Sequence, residues 1–208
     1  MNAISPRFKA SLTDLLALVE PYTWAALILL AGPLLWPFRV VGLPTSADGL
    51  LHLLRLVVLD DHIRQGVFYP RWVPEMVLGL GYPLFHFYAP GSYYVAESFR
   101  LAGLAYIPAL LTTFATFVLV AGFGMYLLVW DLFTDGDRRS RSWAALLAGV
   151  MYMYSPYLLT NMYMRGALAE VAAQALLPWV FWSFRRLMQG GARLAIYWLR
   201  ACCWPGWR

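Results

Sequence analysis

Charge is what this sequence has least of. Only 13% of its 208 residues are Asp, Glu, Lys or Arg, against about 25% in an average soluble domain. A chain so poor in charge cannot cover a globular surface with polar groups, so lipid is expected to solvate much of it. Lysine is nearly missing, with Lys9 alone. The arginines behind the formal charge of +5 are scattered between apolar runs. They form no basic stripe of the kind a phosphate-backbone binder needs, which excludes nucleic acid as a partner. Cysteine is scarce too. Cys202 and Cys203 stand side by side near the end, so no disulfide framework exists.

What the sequence does have is apolar and aromatic residues, 61% and 17% of the chain. They gather into runs that approach the roughly 20 residues needed to cross a bilayer. Residues 22–38 (YTWAALILLAGPLLWPF) form the first expected span. The residues before it show no basic-then-apolar pattern ending in a small-residue cleavage site, so it reads as a retained anchor. Residues 101–130 form the second, either one tilted helix or a short piece ending near Pro108 followed by a full span. Residues 143–160 form the third, with Pro156 near its far end, and residues 171–188 the fourth, interrupted by Pro178.

Basic residues near span ends stay in the cytoplasm. Arg7 and Lys9 precede the first span; Arg138, Arg139 and Arg141 fill a basic loop at 131–142; Arg185, Arg186 and Arg193 follow the fourth. Four alternating spans put all three groups on one side. The N-terminal residues 1–21 are then cytoplasmic, and residues 39–100 and 161–170 both face outward. Two separated polar stretches thus reach the same membrane face.

The long outer loop begins with TSADGLLHLLRLVVLDDHIRQG, a predicted helix over 46–65. Thr45 and Ser46 are suited to cap its start, and Gly66 to end it. At about 100° per residue, Asp48, His52, Arg55 and His62 share one narrow arc, with Leu50, Leu53, Leu54, Val57 and Val58 away from it. The pattern predicts an amphipathic helix lying on the outer membrane surface. Asp48 falls in its first turn, where the helix dipole favours an ionised carboxylate. An acid that only stabilises the helix end is the plainer reading of that position. Residues 67–100 interleave aromatic side chains with Pro70, Pro74, Pro83 and Pro90. That composition predicts an irregular loop stiffened by turns. Arg71, Trp72, Glu75, His86 and Tyr88 lie in it, on a bed of aromatics suited to sugar rings or an isoprenoid chain. Arg165 and Glu170 lie in the second outward stretch. Glu170, beside the apolar VAAQALLPW, is expensive in lipid and so a functional candidate, or else a partner for Arg165.

The combination of LPTSADGLLHLLR, GVFYPRWVPEMVLGLGYPLFHFYAPGSYY and YSPYLLTNMYMRGALAEVAAQALLPW resembles the N-terminal part of bacterial 6-pyruvoyl-tetrahydropterin synthase-related membrane proteins. These in turn are similar to the GT-C class of multi-pass membrane glycosyltransferases. The resemblance covers nearly all of residues 20–188. It implies an all-α integral membrane fold of about four transmembrane helices with a long outward loop, the N-terminal part of a GT-C-like fold. It also implies a bacterial inner-membrane location and a polyprenyl-phosphate sugar as donor. The catalytic acid of the family's first outer loop would be Asp48, followed here by Gly49 where many members carry a second acid. Asp48 would act as general base on an acceptor hydroxyl. Arg55, Arg71 and Arg165 would be candidates for the leaving phosphate. His52, Trp72, His86, Tyr88 and Glu170 complete the expected substrate-binding set. No cofactor is expected: His52 and His62 with Asp48 lack the spacing of a recognised metal cluster. The ending ARLAIYWLRACCWPGWR crowds Trp, Cys and Arg, and residues 189–208 read as an aberrant tail of the kind a shifted frame or truncated gene produces. On that expectation the chain is the front part of a larger transferase, and an inactive fragment by itself. The alternative is a small non-enzymatic multi-span subunit, with a larger membrane complex as its partner.

Overall fold

The computed structural model describes residues 21–133 and 137–189. Expectations placed on residues 1–20 and 190–208, including Arg7, Lys9, Arg193 and the aberrant tail, lie outside it. Among the described residues the fold is almost wholly helical, with one isolated antiparallel bridge between Val73 and Tyr82 and no strand. In chain order the helices are α1 (Pro21–Val41), α2 (Gly49–Arg64), α3 (Leu84–Phe87), α4 (Gly91–Leu101), α5 (Tyr106–Leu132), α6 (Arg138–Met153), α7 (Pro156–Leu159) and α8 (Leu168–Gln189). A π-helical turn, Thr160–Arg165, joins α7 to the loop before α8.

Two of these, Tyr22–Val41 and Tyr106–Leu132, are long and apolar enough to cross a membrane. At about 1.5 Å per residue, a helix as long as α5 exceeds the roughly 30 Å of a bilayer's hydrocarbon core. The second expected span therefore begins at Tyr106 and not at 101. Leu101 closes α4, and a turn with Gly103 in the left-handed region (φ +100°) separates the two helices. Pro108 falls in the first turn of α5, where its missing N–H has no partner to lose.

The third apolar run also differs from its expected bounds. Its helix stops at Met153, because Ser155 precedes Pro156 and is held extended (ψ 135°), as the ring of a following proline demands. At 16 residues α6 is short for a span. The expected basic loop at 131–142 is largely helix: Asp137 caps α6 by accepting from the Ser140 N–H, and Arg138 to Arg141 form its first turn. The expected outer loop at 161–170 is mostly the π-helical turn and the start of α8, which runs through Pro178 without ending.

The largest correction concerns residues 67–100, expected to be irregular throughout. The prolines do break the segment up to Pro90, but α4 then runs for 11 residues and buries Tyr93, Ala96 and Glu97 on one face. α5 is the hub, packed by α8, α6, α4 and α1. Small residues permit the closest approaches. A Cβ on Gly149 would lie 2.8 Å from the Gly122 carbonyl, and one on Gly124 would lie 2.4 Å from the Trp179 indole nitrogen. That nitrogen donates to the Val120 carbonyl at 2.9 Å. Small residues at helix crossings with buried polar bonds are how helices associate where lipid removes the hydrophobic drive. At the far end of the bundle Asp131 of α5 pairs with Arg185 (3.0 Å) and Arg186 (3.4 Å) of α8.

Candidate functional site

α2 turns the usual amphipathic pattern inside out. It buries His52, Asp60 and His62 alongside Leu56 and Leu59, and leaves Leu50, Leu51, Leu54 and Val57 exposed. Each buried polar side chain has a protein partner. Its start is set by a meeting of two loops more than a hundred residues apart. The Ala47 and Asp48 N–H groups donate to the Met164 and Arg165 carbonyls (3.3 and 2.9 Å), and Ser46 Oγ accepts from the Gly49 N–H at 3.2 Å. The helix thus begins at Gly49 and not at the expected residue 46: Asp48 is its N-cap residue and its carboxylate makes no capping bond, while Ser46 Oγ satisfies the first helical N–H.

The approach is so close that a Cβ on Gly49 would lie 2.5 Å from Ser46 Oγ, and one on Gly166 2.3 Å from the same atom. This explains why glycine follows Asp48: a second acid has no room. Gly166 is further required by its left-handed backbone (φ +67°). Gly166→Ala is expected to destabilise the chain by about 1–3 kcal/mol, read as a fall in the midpoint of thermal unfolding. An unchanged midpoint would mean the two loops do not meet as described.

From this junction the expected site residues separate into groups. His52 points inward. Its Nδ1 lies 2.5 Å from Tyr93 Oη on α4, and its Nε2 accepts from the Leu168 N–H (3.3 Å) at the start of α8. An Nε2 that accepts has no proton, so the neutral ring carries its hydrogen on Nδ1. Burial, followed by the charge of Arg55, lowers its pKa to about 4. His52 is therefore a pin joining α2, α4 and α8, with both nitrogens engaged by protein and none left for substrate.

Arg55 lies one turn on. Its guanidinium stacks over the Tyr88 ring, 3.8 Å from the centroid, and Nη1 donates to Tyr93 Oη at 3.3 Å. Its partners are phenols, and among the described residues no carboxylate is paired with it. It lines a groove of about 250 Å³ whose walls are Leu51, Leu54, Met76, Val77, Tyr82 and Leu84. One wall is a turn closed at its base by reciprocal Val73–Tyr82 backbone bonds of 2.9 Å. Its tip holds Val77 and Leu78 in the left-handed region (φ 55° and 58°), conformations costing about 1–3 kcal/mol each that persist mainly at binding and switch regions. The side chains of Val77, Leu78 and Leu80 project outward.

Arg165 is in a different state from Arg55. It forms a two-pronged ion pair with Glu170 (2.5 and 2.7 Å) and also donates to Asn161 Oδ1 at 2.9 Å. Glu170 is thus the partner of Arg165, and neither is an unpaired charge. Arg71 is exposed, with its guanidinium 5.6 Å from the Tyr69 ring. Trp72 is exposed and covers Gly81; His86 is exposed and set edge-on to Phe87. The structure brings His52 and Arg55 together with Tyr88 and Tyr93 along one side of α2, sets Asp48 at the N-cap of that helix, and leaves Arg71, Trp72 and His86 exposed on the segment that follows it.

Among the described residues no group of three or more His, Cys, Asp or Glu side chains is arranged to hold a metal. Sequence reasoning missed Tyr93, which holds both His52 and Arg55. Its signal was the helical spacing of Tyr93, Ala96, Glu97 and Arg100 after Pro90, hidden by the prolines and aromatics before it. Comparison with protein families, with curated proteins and with solved structures found no match for this chain.

Proposed function

We propose that the chain is a multi-span membrane protein of the GT-C type, transferring a sugar from a polyprenyl-phosphate donor on the outer membrane face. In this reading its N-terminus is cytoplasmic in a bacterial inner membrane, and α6–α7 and α8 act as third and fourth spans beside α1 and α5. The observation that carries it is Arg55, a half-buried guanidinium with no carboxylate partner among the described residues, at the wall of an apolar groove. That pairing of one cation with an apolar trough matches a phosphate joined to an isoprenoid chain. The exposed leucines of α2 and the apolar tip at Val77 to Leu80 support an interfacial position. Asp48, two turns before Arg55 on the same side of α2, supplies the base for an acceptor hydroxyl. Arg165, neutralised by Glu170, is set aside as a phosphate ligand and serves to tie the second loop together.

The test is donor binding. The chain in lipid nanodiscs is titrated with a polyprenyl phosphate, and Arg55→Gln is compared with wild type. A hydrogen bond to a charged group is worth about 1.5–3 kcal/mol, so the variant is expected to bind roughly 10–100-fold more weakly. Arg71→Gln serves as the control and is expected to bind as wild type does. Equal binding by the Arg55 variant would remove the groove from the proposal, and no binding by wild type would remove the donor.

A further inference from the structure

Glu97 lies one turn beyond Tyr93 on α4. It is 2% exposed, and among the described residues neither of its carboxylate oxygens meets a hydrogen-bond donor. A buried carboxylate without a donor is strongly disfavoured. The carboxyl group that acts on it is Asp60 of α2, held at 3.1 Å by Arg100, the residue one turn beyond Glu97 on α4. Asp60 is richly supplied with donors: Arg64 Nε at 2.7 Å, Arg100 Nη2 at 3.1 Å and Tyr106 Oη at 2.6 Å. Two carboxylates offer each other only acceptors, so a proton is what joins them.

We propose that Glu97 and Asp60 form a proton-binding site holding one proton on the acidic side of neutral pH, and that this proton fastens α4 to α2 beside Arg55. The proton resides on Glu97. Burial, and next the charge of Asp60, raise the Glu97 pKa to about 7. For Asp60 burial acts upward too, but hydrogen bonds from Tyr106, Arg100 and Arg64 outweigh it and hold the group at about 2. The charged groups around the pair come from every packed side: Asp60 and Arg64 from α2, Arg100 from α4 itself, and Tyr106 from α5. α8 also touches α4, but its ion-pairing groups are engaged elsewhere, Glu170 on Arg165, and Arg185 and Arg186 on Asp131. Asp60, Arg64, Arg100 and Tyr106 line a cleft of about 310 Å³ with Asp61, His62 and Glu75, which opens on the Asp60 side of the pair. Tyr93 precedes Glu97 by one turn and holds His52 and Arg55, so losing the proton loosens the seam that positions both. This site stands independently of the sugar-transfer reading.

Glu97 has a folded pKa above its ordinary 4.5, so its contribution to stability is complete below 4.5 and lost as pH rises through about 7. His52 runs the other way. Its folded value of about 4 lies below 6.5, so its contribution is present above 6.5 and lost as pH falls toward 4. The two windows overlap, and a difference measurement separates them.

The full chain in nanodiscs is unfolded thermally across this pH range as wild type and as Glu97→Gln. The amide donates to Asp60 as the protonated acid does and does not titrate. The wild-type midpoint, taken relative to the variant's at each pH, is expected to fall by several degrees as pH rises through about 7. A pH-independent difference overturns the proposal. In parallel, infrared spectroscopy of wild type should show the carbonyl stretch of a protonated carboxyl group at mildly acidic pH that disappears on the alkaline side of about 7. Glu97→Asp should shift that band. A wild-type spectrum without it overturns the proposal even where the glutamine variant fails to fold.

Discussion

On the proposed sugar-transfer reading, Asp48→Asn is expected to abolish transfer while leaving the fold almost untouched. Loss of a general base lowers rate by about 10²–10⁴-fold, whereas the carboxylate's interaction with the helix dipole is worth only ~0.3–1 kcal/mol. The structure sharpens the contrast. The Asp48 carboxylate makes no capping bond, the helix being capped instead by Ser46 Oγ. The anchoring bond from residue 48 to the Arg165 carbonyl comes from the backbone N–H, which asparagine keeps. Transfer from a lipid-linked donor would be measured in vesicles beside thermal unfolding in detergent. Transfer at the wild-type rate would reduce Asp48 to a helix-terminal acid. A loss of transfer matched by a loss of stability would point to a structural role.

The largest stability effect is expected at Asp60. Asp60→Ala would remove the shared acceptor of Arg64, Arg100 and Tyr106, and with it the mate of Glu97. Arg100 is mostly buried, its side chain 16% exposed, and would be left without its carboxylate. Deleting one partner of such a pair leaves the other's charge uncompensated, so the loss is expected to be large. Arg64 is more than half exposed and adds little, since water and salt screen it. The effect should appear as a lowered denaturation midpoint with the helical signal retained below it. A midpoint within error of wild type would mean that the cluster is not the fastening between α2, α4 and α5. Asp61→Ala is the control: its carboxylate accepts only an exposed bond from Gln65, and its loss should be nearly silent.

How far the site could be read from the chain is clearest on α2. His52 and Arg55 lie on the predicted face because helical periodicity is a local property. The environment of that face was not legible. The leucines expected to pack away from the polar arc are indeed away from it, yet it is the polar arc that the protein buries. Which side of an amphipathic helix turns inward depends on the solvent outside, and periodicity is the same for either answer. The segment 67–100 shows the opposite failure: its prolines were correctly read as breaks, but the regular helix after Pro90 was assigned to the irregular stretch with them.

By itself the sequence determined the scarcity of charge, the apolar runs that became α1 and α5, the cap at Ser46 and the common face of His52 and Arg55, because each follows from composition or from residues within a few turns. Tertiary structure alone decided which charges are spoken for. Arg165 is closed off by Glu170, while Arg55 has no carboxylate partner among the described residues. Glu97 meets Asp60 37 residues before it, a separation read from their numbers in the chain. Gly49 and Gly166 face each other across more than a hundred residues. Charge state and close approach depend on which segments meet, and contacts across that much chain leave no periodic trace in any single stretch of sequence.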